Sequence, residues 1–168
     1  MSSPEYPVLS RRMVLAGLGL AALGACSLTP AYGPGGTGRA LHGRVALRRP
    51  ADPDSFALNR RLAERLGPED SALYALDYRL TTAVVAQAIT PSEVATRYSL
   101  NGTADFALTE IATGARLVQG RVSSFTSYSA TGTTIATTTA ERDAHRRLMV
   151  MLADQIVTRL LAEGPSPA

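Results

Sequence analysis

Residues 94–128 read VATRYSLNGTADFALTEIATGARLVQGRVSSFTSY, and the alternation in this stretch decides the fold. Val94, Thr96, Tyr98 and Leu100 share one parity, and Ala104, Phe106 and Leu108 continue it. Successive side chains of a strand point to opposite faces, so one face here is apolar and the other polar. Ala112-Thr113-Gly114 is a turn signal, and Leu117 to Tyr128 forms the second arm of a hairpin. Asn101-Gly102 lies inside the first arm. It is read either as a hairpin turn of its own or as a bulge within one long strand.

Upstream, Leu76, Tyr78 and Leu80 alternate with Asp77, Arg79 and Thr81, a half-buried strand. Ala83 to Ile89 either continues it or crosses the sheet edge, and Thr90-Pro91-Ser92 reads as a turn. Before it, Asp52-Pro53-Asp54-Ser55 opens a helix capped by Asp54 or Ser55. Its apolar stripe is Phe56, Leu58, Leu62 and Leu66, and Gly67-Pro68 stops it. Leu41 to Leu47 alternates as a short strand. Downstream, residues 123–140 are dense in Ser, Thr, Gly and Ala, a polar strand end followed by a loop. Glu141 to Leu161 is the clearest helix. Leu148, Leu152, Ile156 and Leu160 recur every fourth residue, Met149, Ala153 and Val157 widen the stripe, and Gly164-Pro165 ends it. Two amphipathic helices need one apolar surface to cover, and a small sheet supplies it. The expected fold is α+β: a small, mostly antiparallel four-stranded sheet with two helices packed on one face.

The N-terminus carries a different signal. Ser10-Arg11-Arg12 precedes an apolar run from Met13 to Ala25, followed by Cys26, the single cysteine of the chain. At about 1.5 Å per residue this run is too short for a hydrocarbon core of ~30 Å, so a cleaved signal peptide is expected. Leu23-Gly24-Ala25-Cys26 has the form of a lipoprotein signal-peptidase box, which makes Cys26 the expected lipid attachment site. Ser27 is not aspartate, which favours the outer membrane. The expected organisation is residues 1–25 as signal peptide, 26–40 as a Pro- and Gly-rich lipidated linker, 41–163 as the α+β body and 164–168 as a tail. With its one thiol acylated, the body is held by packing rather than disulfides.

Composition narrows the function classes. The full chain carries a formal net charge of +3, and every basic Lys or Arg position is Arg. There is no Trp and aromatic content is 5%, which gives little support to a base-stacking platform and argues against a nucleic-acid partner. No HExxH, CxxC, Walker loop or GxSxG occurs, and neither histidine, His42 or His145, has a catalytic neighbour in sequence. No catalytic residue, metal site or cofactor is expected. Arg79, Arg97 and Arg121 lie on strands opposite or beside the apolar parity. They either form a basic patch for a phosphorylated glycolipid, or a solvated face with ion pairs to Asp77, Asp105 or Glu110.

Three stretches resemble the lipopolysaccharide-assembly lipoprotein family LptE in its alphaproteobacterial form. They are Cys26-Ser27-Leu28-Thr29-Pro30-Ala31-Tyr32-Gly33; Ala95-Thr96-Arg97-Tyr98-Ser99-Leu100 with Phe106-Ala107-Leu108; and Ser127-Tyr128 with Ala144-His145-Arg146-Arg147-Leu148 and Ala153-Asp154-Gln155-Ile156-Val157-Thr158-Arg159-Leu160. The resemblance implies a small sheet backed by two helices and no enzymatic activity. It implies a lipid-anchored protein on the periplasmic side of the outer membrane that plugs and helps assemble the β-barrel LptD. Lipopolysaccharide, its phosphates met by basic side chains, is the implied ligand. The alternative is an auxiliary lipoprotein of an ABC-type lipid transporter, and a lipid-processing hydrolase using His42 or His145 is a third.

Overall fold

A computed structural model of the chain describes residues 30–89 and 95–165. The expected signal peptide, Cys26, the turn at Thr90-Pro91-Ser92 and the end of the tail lie outside the described residues. The elements are α1 (Thr37–Leu41), β1 (Val45–Leu47), α2 (Pro53–Leu66), β2 (Tyr74–Ile89), β3 (Ala95–Glu110), β4 (Arg116–Ser129) and α3 (Thr134–Glu163). The sheet order is β1-β2-β3-β4; β1 runs parallel to β2 and the other pairs are antiparallel.

One cluster forms the core, and it explains the α+β layering. Leu76, Tyr78, Leu100, Ala104, Phe106, Leu108, Val118 and Val122 bury one face of the sheet. Leu58, Leu62 and Leu66 of α2 and the Leu148–Leu152–Ile156–Leu160 stripe of α3 cover them. Each such leucine contributes about 1.5–3 kcal/mol by leaving water. The opposite face, with Asp77, Arg79, Asn101, Arg121 and Phe125, is largely open to solvent.

Several local expectations change. Asn101-Gly102 is neither hairpin nor bulge: Ala83 pairs with Asn101 and Thr82 with Gly102 in unbroken register. Gly102 is instead buried under α3, where a Cβ would come within 2.8 Å of Leu148 Cδ2. The glycine lets the helix approach the sheet. Ala83 to Ile89 continues β2. The cap of α2 is Asp52, two residues before Asp54 and three before Ser55. Its carboxylate accepts from Ser55 N at 2.8 Å while Ser55 Oγ accepts from Asp52 N at 3.0 Å, and Pro53 fits the first helical position. Phe56 leaves the expected stripe and is 63% exposed; at 100° per residue it points away from Leu58 and Leu62. α3 begins at Thr134 rather than Glu141, with Thr133 accepting from Ala136 N and the hydroxyls of Thr138 and Thr139 bonding back one turn. The expected strand at Leu41–Leu47 shortens to β1, because residues up to Leu41 form the single turn α1.

Candidate functional site

The sheet register places two of the three candidate arginines in one row. Arg79 of β2, Asp105 of β3 and Arg121 of β4 stand side by side on the open face. Arg121 forks onto Asp105, with Nε 2.6 Å from Oδ1 and Nη2 3.0 Å from Oδ2. That bond, helped by the charges of Arg121 and Arg79, holds the Asp105 carboxyl below its ordinary range. The cross-strand ion pair to Asp105 is therefore present. Arg121 is neutralised by Asp105, while Arg79 makes no hydrogen bond or ion pair among the described residues. Arg48 and Arg116 join Arg79 around a shallow cleft of about 760 Å³. Arg97 is not part of it. It pairs with Ser129 at the other end of the sheet, eight residues along β3 from Asp105, roughly 26 Å at the strand rise.

A second concavity was not legible as a site. Between the N-terminal turn of α2 and the first half of α3 lies a cleft of about 890 Å³, lined by Pro50, Phe56, Ala57, Val150, Arg60 and Arg142 among others. At its floor His145 Nδ1 lies 2.9 Å from both Asp54 oxygens, each side chain about one-quarter exposed. The 200° offset of Phe56 from Leu58 was the available signal, since it moves a large apolar ring off the core stripe. Deeper along the same helix pair, Asp154 receives a fork from Arg61 at 3.0 and 3.1 Å and a third bond from Arg65 at 3.4 Å.

Charge is unevenly distributed over the body. Residues 80–92, 98–104 and 122–140 contain no Asp, Glu, Arg, Lys or His. The described members of these runs are neighbours: the second half of β2, the first half of β3, the second half of β4 and the start of α3. This end presents Thr and Ser together with exposed Val84, Val85, Phe125 and Ile135. The family model for lipopolysaccharide-assembly, LptE, matches residues 44–160.

The chain belongs to the LptE family. That family consists of non-enzymatic lipopolysaccharide-assembly lipoproteins of the outer membrane. Solved structures share the fold of this LptE-family chain. A lipoprotein from Caulobacter crescentus matches with a TM-score of 0.60 at 19% identity, covering 75% of this chain and 93% of that one. Rare lipoprotein B from Shewanella oneidensis matches with a TM-score of 0.54 at 14% identity, covering 71% and 92%. Lipoprotein B from Nitrosomonas europaea gives 0.54 at 12%, covering 71% and 82%. None of the curated proteins matches by sequence. In this LptE-family chain the Asp54–His145 and Asp154–Arg61 pairs join α2 to α3. No group of three His, Cys, Asp or Glu able to hold a metal occurs among the described residues.

Proposed function

We propose that this LptE-family lipoprotein is acylated at Cys26, sits on the periplasmic side of the outer membrane, and occupies the lumen of the β-barrel LptD, helping it assemble and meeting lipopolysaccharide there. The uncharged end of the body carries this reading. A domain enclosed by a barrel must give up water over much of its surface. Burying an unpaired charge costs far more than burying a hydroxyl that finds a partner. The Ser- and Thr-rich surface formed by the second half of β4 and the start of α3 can hydrogen-bond to a polar lumen wall without stranding a charge. Apart from Arg97, the strands of this end carry no arginine; on the rest of the body Arg79, backed by Arg48, Arg116 and the Asp105-bound Arg121, suits lipopolysaccharide phosphates. Arg97 supplies a separate cation at the uncharged end.

Affinity purification from detergent-solubilised outer membranes should recover a large β-barrel protein with the full chain. Recovery of inner-membrane transporter subunits instead would replace this reading with the ABC-transporter alternative. Arg79→Glu and Arg97→Glu should each weaken lipopolysaccharide binding more than Arg60→Glu on α2. Equal effects would remove the sheet as the binding surface. Mass spectrometry of the native protein should find Cys26 acylated as the first residue.

A further inference from the structure

We propose that the free edge of β2, residues Leu80 to Ala86, pairs with the same edge of a second copy of this chain, joining two four-stranded sheets into one. The alternation along β2 shows which backbone groups face outward. Tyr74 N donates to Arg44 O at 3.1 Å, Leu76 O accepts from Arg48 N at 3.1 Å, and Tyr78 O accepts from Arg48 Nη1 at 3.2 Å. Every second residue thus turns its N–H and C=O away from β3. The next members are Leu80, Thr82, Val84 and Ala86, and β2–β3 pairing is regular as far as Ala86. These four have no partner for the outward groups among the described residues.

Unpaired edges are normally blunted by charge, proline, bulges or a covering element. This chain does so elsewhere. Its β1 covers β2 up to Leu76 and Arg48 caps Tyr78. On the opposite edge, Arg147 Nη2 reaches Ser127 O at 3.3 Å and Arg121 and Arg116 stand along β4. The window from Leu80 to Ala86 has none of these guards. Its sequence, Leu-Thr-Thr-Ala-Val-Val-Ala, carries no charge, proline or glycine, and Thr81 to Gln87 is exposed on both faces of the sheet.

The window is also complementary to itself. A two-fold axis through Ala83 sets Thr82 opposite the partner copy's Val84 on the helical face and Thr81 opposite its Val85 on the open face. Directly opposed β-branched pairs are favourable on a pleated surface. In this register Leu80, Thr82, Val84 and Ala86 all fall in hydrogen-bonded pairs, and small Ala83 meets its own copy at the close, non-hydrogen-bonded position. The register shifts between Ala86 and Ile89 bend the strand where it would otherwise meet the other copy's β1. An isologous contact of this kind closes at two copies.

The test uses the full chain in detergent. Sedimentation should give twice the protein mass of one chain. Under oxidising conditions Ala83→Cys should form a disulfide-linked homodimer, because opposed Cα atoms at such a position are about 4.5 Å apart, within disulfide range. Thr81→Cys should stay at the wild-type background, since its own copy is offset by about 13 Å. The wild type, with its native Cys26, is the control. Val84→Pro removes an outward N–H that the fold does not use and should halve the mass while thermal unfolding stays cooperative; Thr82→Lys is the second variant and should do the same. A monomeric wild type, an Ala83→Cys cross-link to a different protein, equal cross-linking at Thr81→Cys, or a dimer that survives both Val84→Pro and Thr82→Lys would each overturn the proposal.

Discussion

Replacing Gly102 by alanine adds one methyl group at the closest approach of sheet and helix. An ideal Cβ there lies 2.8 Å from Leu148 Cδ2, 3.2 Å from its Cγ and 3.3 Å from Leu152 Cδ1. Leu148 and Leu152 are both fully buried, so neither can swing into solvent. Overpacking of this kind costs about 1–3 kcal/mol. Alanine also loses less chain entropy than glycine on folding, which offsets about 0.5–1 kcal/mol. At the middle of these ranges the net loss is about 1 kcal/mol, and at roughly 3–6 °C per kcal/mol for a domain of this size, Tm should fall by about 3–6 °C.

The decisive assay is a double-mutant cycle by thermal or denaturant unfolding. Leu148→Ala alone should cost about 2–5 kcal/mol through the cavity it opens. With Leu148 shortened, the new methyl no longer clashes and partly fills that cavity. The two changes should therefore couple favourably by at least about 1 kcal/mol. Gly102 is not among the positive-φ glycines, so backbone strain supplies no competing cause. A stabilising Gly102→Ala, or costs that simply add, would refute the close-approach account.

Three further outcomes follow from named contacts. In an NMR titration the Asp105 carboxyl should ionise below the ordinary aspartate value near ~3.9, and Arg121→Ala should move it back up, because the Arg121 fork is the main cause of the shift. Since the folded value is the depressed one, the Asp105 contribution is present above the ordinary value and lost as pH falls through the folded one. Asp52→Ala removes the cap of α2 and should lower stability by about 1 kcal/mol, seen as a lower denaturant midpoint at unchanged slope. Tyr78→Phe removes a buried hydroxyl that donates to Asn59 Oδ1 at 2.8 Å, and should cost about 0.5–1.5 kcal/mol in the same assay.

The parts of this fold that were legible in the sequence are those where burial follows a simple period. The Leu148–Ile156 stripe and the Leu100–Leu108 parity announce their elements because each buries one face continuously. Gly102 was misread because Asn-Gly is a local turn signal, whereas the reason for the glycine is a leucine some forty-six positions away on another element. The first two turns of α3 were hidden because threonine is a poor helix former with no apolar stripe to reveal the period. Among the candidate cations, the strand assignment of Arg79, Arg97 and Arg121 was legible. That Arg79 and Arg121 share a row while Arg97 does not depends on inter-strand register, which long-range pairing sets. The α2–α3 cleft and the Asp54–His145 pair are products of helix packing and have no local signature.

The two proposals concern the same uncharged end, and their physical demands conflict. Neighbouring strands lie about 4.8 Å apart, so joining two four-stranded sheets through β2 roughly doubles the sheet width from about 19 to about 38 Å. A lumen that fits one helix-backed sheet closely cannot take that width. Self-pairing and barrel entry are then alternative uses of one surface, and the free edge from Leu80 to Ala86 must be released before the body is enclosed. The barrel partner should accordingly dissolve the homodimer in proportion to the complex it forms. An Ala83→Cys disulfide made beforehand should block that assembly, and a reductant should restore it. If the cross-linked dimer enters the barrel as readily as the reduced protein, either the uncharged end is not the part enclosed or the edge contact is not made through Ala83; mapping which surface the barrel protects from proteolysis separates these two.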